Sequence, residues 1–526
     1  MEPTRRAQST RQLLIGLDAA EWNLVTTWAH EGKMPTIARL IAGGLRGRLQ
    51  GVSAQFPDAV WPALITGLNP AKIEKYFYVQ YHPQTMGLRH VPNEAIQRPP
   101  FWAYLGRAGR RVGVVDPSHF PASRSVNGFE LANWGVHPTQ GTVDAHPASL
   151  AAEVTSRFGR HPVGDCDAVD EKPGPLRELR RRLLEAVRLR GHVIRHLMQE
   201  RPSDVLFATF SETHCAGHHF WGFLDPSPSQ PLTRETKDLA DTLEQIYRAV
   251  DRELGEILAR ADENTICMVF AAHGMGPLRH ASWNLPEILD LLGYGRHPAS
   301  AVRPAHDARQ AGVNPWRILK MVMPAPLQYL IKARLPQRMQ DELLFRWYAG
   351  GRQWAGCRAF AVPNNDSVGA IRISVQGRDR HGLVAPGAEY RQLCKDIAEA
   401  LYGLTDVEGG RPVVKQVTLT HDTFAGPFLD GLPDLTVLWE QSFPWTSLYS
   451  SRFGALRLRR QDARSGAHTP HGFVLSMGPG IPAGVELGDS SIYSIAPTIL
   501  DLAGVPIPPD FDGASLLRTS RMEPSR

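Results

Sequence analysis

Cysteine is scarce in this chain, and its few residues are spread out. The 526 residues include five cysteines, Cys166, Cys215, Cys267, Cys357 and Cys394, odd in number, far apart and without a CxxC pair. Such a set argues for a reducing compartment rather than a disulfide framework. Long apolar runs are missing as well. No stretch of about 18 uninterrupted apolar residues occurs, so no membrane span is expected. The first residues, Met1 to Arg11, lack the apolar region of a signal peptide. The expectation is a cytoplasmic protein. An excess of either charge is also lacking, since 58 Lys+Arg stand against 53 Asp+Glu. That balance does not indicate nucleic acid as a partner, and the aromatic residues are not interleaved with basic runs. There is no internal repeat and no low-complexity tract.

What remains is an ordinary globular composition, 42% hydrophobic and 21% charged, in which strand and helix patterns alternate. Leu13–Leu17 reads as a short buried strand closed by Asp18, and Val25–Leu40 has helical spacing. Pro57 and Asp58 look like a helix start, and Thr66 to Pro70 like its stop. Helix-then-strand recurs over Phe101–Gly109 and Val112–Asp116. It recurs in the arginine-rich amphipathic stretch Leu176–Met198 followed by Asp204–Phe210. A third instance is the apolar series from Leu243 to Leu258 followed by Thr265–Phe270. Later strands are expected at Ala370–Val375, Leu435–Trp439 and Gly472–Ser476. This alternation predicts an α/β fold, a mostly parallel sheet covered by helices on both faces. Residues 1–295 are expected to supply the first part of that core and 356–526 its remainder. Between them, 296–355 reads as a linker and a basic helical cap or insertion, with lipid or partner contact as the other reading of its amphipathic part.

The chemistry gathers at the predicted strand ends. Ser211-Glu-Thr-His-Cys-Ala-Gly-His218 follows a strand. If the chain coils after Glu212, His214 and His218 fall on one helical face about one turn apart. Neutral imidazoles and carboxylates suit Zn²⁺ and similar divalent ions. Taken singly, such histidines are as often ordinary side chains. However, Asp18, His273 and His468 also sit near strand ends, and in an open α/β sheet those ends converge on one crevice.

These pieces, in order, resemble the alkaline phosphatase superfamily, and most closely its type I phosphodiesterase/nucleotide pyrophosphatase branch. The resemblance rests on Leu14-Ile-Gly-Leu-Asp18, Trp61 with Thr66-Gly-Leu-Asn-Pro70, Ala216-Gly-His218, His273-Gly-Met275 and Gly466-Ala-His468. It extends to the tail from Ser494 to Pro506 and from Asp512 to Leu516. It implies a hydrolase in which Asp and His residues hold divalent ions, usually zinc, at a phosphorus or sulfur centre. By that pattern Asp18 and His273 share one ion with an acid just before His273. His218 and His468 share a second with an acid four residues before His218.

The chain departs from the pattern at three points. His214 stands where the second acid is expected, with Glu212 close by as a substitute. Ala272 stands where the acid before His273 is expected. Counting back from Thr66, the nucleophile position falls on Pro57, and no Ser, Thr or Cys occurs between Ala54 and Ile65. Ser53 is the nearest hydroxyl, with a plain turn serine as its other reading. Asp58 is the nearest carboxylate, with a helix N-cap as its other reading.

The resulting expectation is a metal-dependent hydrolase of small-molecule phosphate esters, of phosphodiesterase or nucleotide-pyrophosphatase type. The Cys-x-Pro-x-Arg signature of sulfatases is absent. One version keeps two ions. The other keeps one, with activated water in place of a side-chain nucleophile. The alternatives are a non-hydrolytic metal- or ligand-binding descendant of the fold, or a transferase using the same site.

Overall fold

In the computed structural model the chain is described over residues 10–135, 142–164, 166, 169–226, 231–295, 339, 345, 348, 354–365, 367–458 and 464–519. It divides into two units. The first comprises 1–75, 92–278 and 462–526, and the second 76–91 and 279–461.

The first unit is built on a nine-stranded sheet. Its order is Glu486–Ser491, Leu45–Gln50, Gly472–Met477, Thr265–Ala271, Arg11–Leu17, Val205–Phe210, Val112–Val115, Phe129–Ala132 and Asp144–His146. The five strands from Thr265–Ala271 to Phe129–Ala132 run parallel. Gly472–Met477 is antiparallel to both of its neighbours, and Asp144–His146 is antiparallel to Phe129–Ala132. A parallel interior explains the unbroken apolar run Val205–Phe210, whose six residues are all buried, because both faces are covered.

The two faces divide by residue parity. Leu13, Ile15 and Leu17 join Leu206, Ala208 and Phe210 in a core with Leu183 and Val187 of the Pro173–Glu200 helix. Ile246, Val250 and Leu254 of the Thr242–Leu258 helix complete it. On the other face Phe207 stacks on Phe270, and Trp61 and Phe101 close around them. Each such side chain stabilises the fold by about 1.5–3 kcal/mol relative to exposure.

The second unit corrects the expected division of the chain. The strands at Val368–Ile373 and Leu435–Trp439 do not return to the main sheet. They form an antiparallel four-stranded sheet of order Ala359–Val362, Val368–Ile373, Leu435–Trp439 and Val414–Leu419. That sheet has its own core, in which Ile371, Val437 and Trp439 meet Leu393, Ile397 and Leu401 of the Ala388–Tyr402 helix. Only the tail from 462 rejoins the first unit, so 356–526 is not one continuous remainder of the core. An apolar strand sequence reports burial but not which sheet receives it. The expected linker and basic cap at 296–355 lies outside the described residues, apart from Met339, Phe345, Tyr348 and the last two positions. Among the described residues no helix is long and apolar enough to cross a membrane.

One buried ion network ties the strand ends of the first unit together. The side chain of Arg190, in the Pro173–Glu200 helix, has no solvent exposure. Its guanidinium donates to Asp116 Oδ2 at 2.6 Å, to Glu212 Oε1 and Oε2 at 2.8 and 3.1 Å, and to the Gly135 carbonyl at 2.6 Å. His161 Nε2 lies 2.9 Å from Glu212 Oε1. Burial works against the Glu212 charge, but Arg190 and His161 more than offset it and hold the carboxyl below its ordinary range. Removing the cation leaves two carboxylates desolvated. Arg190→Met is therefore expected to cost about 3–5 kcal/mol, read as a lower denaturation midpoint. A loss under about 1 kcal/mol would show that the network does not hold these strand ends.

Candidate metal centre and active site

The four side-chain sources of the site leave the same edge of the parallel sheet. Asp18 follows Arg11–Leu17, Ser118 and His119 follow Val112–Val115, the helix Glu212–Leu224 follows Val205–Phe210, and His273 follows Thr265–Ala271. This is the carboxyl edge, where open α/β sheets bind ligands. His468 arrives from the short strand Gly466–Thr469, which pairs antiparallel with Gly274–Pro277 and sets His468 opposite Met275.

Two glycines allow the close approach that the site needs. A side-chain carbon at Gly466 would lie 2.1 Å from the Gly217 carbonyl oxygen, and one at Gly217 would lie 2.6 Å from Met275 Cγ. The helix and the hairpin therefore pack backbone to backbone, which brings His218 and His468 within reach of each other.

Three Nε2 atoms converge there. His214 Nε2 is 2.8 Å from His468 Nε2 and 3.0 Å from His218 Nε2. All three side chains are buried, and their ligand atoms lie within 4.8 Å of one another. His218 Nδ1 donates to the Gly466 carbonyl at 2.8 Å, so its Nε2 carries a lone pair turned toward the other two rings. Burial, then the neighbouring His214 and Arg464, pushes the His218 imidazole well below its ordinary value of 6.5. Burial, then His273 and His218, does the same to His468. Both rings are thus neutral donors at neutral pH. Neutral imidazoles with lone pairs facing one point fit a divalent cation, and the buried His468 Nδ1 has no hydrogen-bond partner in the structure.

The neighbouring pair is built differently. Asp18 accepts from the Trp61 indole N–H at 2.7 Å on Oδ1 and from the Ser118 hydroxyl at 3.2 Å on Oδ2. Its backbone carbonyl accepts from Thr213 of the ligand helix at 2.5 Å. Burial opposes its charge, but His214, His273, His119 and the Trp61 bond outweigh burial and keep the carboxyl below its ordinary value. His273 Nε2 is 3.6 Å from Asp18 Oδ1, and its ring centroid is 4.4 Å from that of His468. Burial lowers the His273 pKa, and Asp18 pulls it partly back. Ala272 is fully buried at the position where a further acid was expected. Trp61 and Ser118 each take one lone pair of the Asp18 carboxylate, and with a methyl group at Ala272 in place of a third donor, Asp18 and His273 make a poorer cation site than the histidine trio. Among the described residues, only His214, His218 and His468 group as a cation site.

The remaining candidates fall outside that trio. Glu212 does not stand in for the missing acid, because Arg190 and His161 draw its carboxylate into the buried ion network instead. Ser53, in the turn Val52–Ala54, donates its hydroxyl proton to the Pro470 carbonyl at 2.7 Å. Asp58, in the turn Pro57–Ala59, exerts its charge on Lys75, whose ammonium burial lowers to about 8. The Val60–Thr66 helix that follows has no side-chain cap, so Asp58 is not its N-cap. Sequence reasoning missed His119, Ser118 and the Trp61–Asp18 bond. His119 lies three residues beyond Asp116 at a strand end, the same signal that marked the other histidines.

A mostly parallel α/β sheet with buried imidazoles and a carboxylate at its carboxyl edge places a candidate metal centre where such sheets bind ligands. Comparison with known proteins gives the family. The chain belongs to the type I phosphodiesterase / nucleotide pyrophosphatase family, whose model matches residues 12–332. This is a metal-dependent family. Among solved structures the chain is similar to phosphonoacetate hydrolase from Sinorhizobium meliloti 1021 in complex with phosphonoformate. Identity there is 13%, coverage 94% of this chain and 96% of that one, and the TM-score 0.50. It is also similar to murine ectonucleotide pyrophosphatase / phosphodiesterase 5, at 12% identity, 96% and 97% coverage and a TM-score of 0.47. A human protein, arylsulfatase K, is 39% identical over 80 residues, and the chain spans 14% of that protein's length.

The imidazole cluster has a pH consequence. Folded His218 and His468 refuse protons that the unfolded chain accepts below its ordinary value of 6.5. Stability of the metal-free protein is therefore full above about pH 6.5 and falls as pH drops through that value. Thermal unfolding from pH 7.5 to 5.5 is expected to show this fall, and His468→Phe to flatten it. Parallel curves for the two proteins would exclude the cluster as the cause.

Proposed function

We propose that this chain hydrolyses phosphodiesters of small molecules using a single divalent ion, held by His214, His218 and His468. Convergence of the three Nε2 atoms carries this reading, together with the methyl group at Ala272 where a further acid was expected. Zinc matches a set of three imidazole nitrogens well. When bound, the ion supplies Lewis acidity toward a phosphoryl oxygen and makes water a competent nucleophile at neutral pH.

The chain's own residues complete the chemistry. Arg464, whose charge reaches both His218 and His468, attracts the anionic ester. His273 takes the proton of the attacking water at Nε2 and returns it to the leaving oxygen. Asp18, 3.6 Å away, stabilises the imidazolium formed in between. Trp61 and Ser118 hold Asp18 in place with donors that carry no charge, so its own charge stays directed at His273. Ser53 has no part in the reaction, because its proton is committed to Pro470. A cytoplasmic setting accords with five buried cysteines that are all thiols.

Elemental analysis with turnover of bis(p-nitrophenyl) phosphate tests this reading. Wild type is expected to carry one ion per chain and to turn over the ester. His218→Ala and His468→Ala are expected to lose the ion and at least about a hundredfold in kcat/KM. Ser53→Ala should stay close to wild type. Two ions per chain would overturn the single-ion reading. One bound ion without turnover of any phosphodiester would leave a ligand-binding descendant of the family.

A further inference from the structure

Two of the five cysteines, 49 residues apart in sequence, meet in the fold. Cys166 precedes the Pro173–Glu200 helix, and Cys215 lies in the first turn of the helix that carries His214 and His218. Both are buried and outside any disulfide, and Cys166 Sγ donates to Cys215 Sγ at 3.0 Å. That gap exceeds a disulfide bond of about 2.05 Å by about 1 Å. Cys215 also lines a small cleft with Gly135, His161, Gly164 and Glu212.

We propose that Cys166 and Cys215 are a modification site, a dithiol that a small peroxide converts to a disulfide. The Cys215 sulfur attacks one peroxide oxygen and breaks the O–O bond, giving a sulfenic acid and one water. The Cys166 sulfur then attacks the Cys215 sulfur, and the hydroxyl leaves with the Cys166 proton as a second water. Two thiols are oxidised and one peroxide is reduced to two waters, so atoms and electrons balance. The new bond pins the ligand helix to the segment around Cys166. Cys267 and Cys394 offer a contrast. Among the described residues neither is recorded in contact with another cysteine.

Intact mass and a non-reducing peptide map, taken after stoichiometric hydrogen peroxide, test the site. Wild type is expected to lose two hydrogen atoms and to yield one linked peptide pair, Cys166 with Cys215. Dithiothreitol should restore it, and the oxidised form should unfold at a higher temperature than the reduced one. Cys215→Ser and Cys166→Ser should show neither the link nor the thermal shift. Should either variant fail to fold, the wild-type map still decides. Overoxidation of Cys215 to a sulfinic acid without a link, a link through any other cysteine, or unchanged thiols would each overturn the proposal.

Discussion

Three buried imidazole nitrogens, with His214 Nε2 at 2.8 and 3.0 Å from the other two, form the constraint on which the site depends. With the His218 Nδ1 proton given to Gly466, its Nε2 is an acceptor, and the two contacts of His214 Nε2 are not both satisfied by one ring proton. Protonating the rings instead places like charges together in low dielectric, which burial already penalises. A cation at the shared point removes the conflict. Everything around the trio serves to keep it tight: the glycine contact between helix and hairpin, the pairing of His468 opposite Met275, and the Thr213 bond to the Asp18 carbonyl.

The replacement of an acid by His214 changes the electrostatics of such a centre more than its geometry. On the proposed reading, three imidazole ligands would leave the full charge of a bound ion directed at the substrate, where a carboxylate ligand would cancel part of it. The cost falls on the other half of the site. There Ala272 removes a donor, and Trp61 and Ser118 each take one lone pair of the Asp18 carboxylate. On the proposed single-ion reading, one half holds a cation and the other handles a proton.

Much of the fold was legible because its strands and helices carry strong periods. Val205–Phe210 and Thr265–Ala271 read as buried strands, and the stripe from Leu243 to Leu258 read as a helix. His214 and His218 were assigned to one helical face, and the Glu212–Leu224 helix puts them there. The boundary of the second unit was not legible. Val368–Ile373 and Leu435–Trp439 are as apolar as any strand of the main sheet, and their antiparallel partners come from distant turns. Glu212 was misjudged for a related reason. One residue's rotation around the first turn of a helix turns its carboxylate away from the imidazoles and toward Arg190, on a helix that sequence spacing does not connect to it.

The sequence by itself determined the alternation of elements and the donor chemistry at each strand end, which follow from side-chain identity and local periodicity. Its resemblance to the family marks Ala272 and Pro57 as departures from the family's acid and hydroxyl positions. Tertiary structure alone decided which donors meet, that Asp18 accepts from Trp61, and that Cys166 lies against Cys215. Such pairings depend on the packing of segments far apart in the chain. A contact of about 3 Å is made or lost by shifts too small for any pattern in the sequence to register.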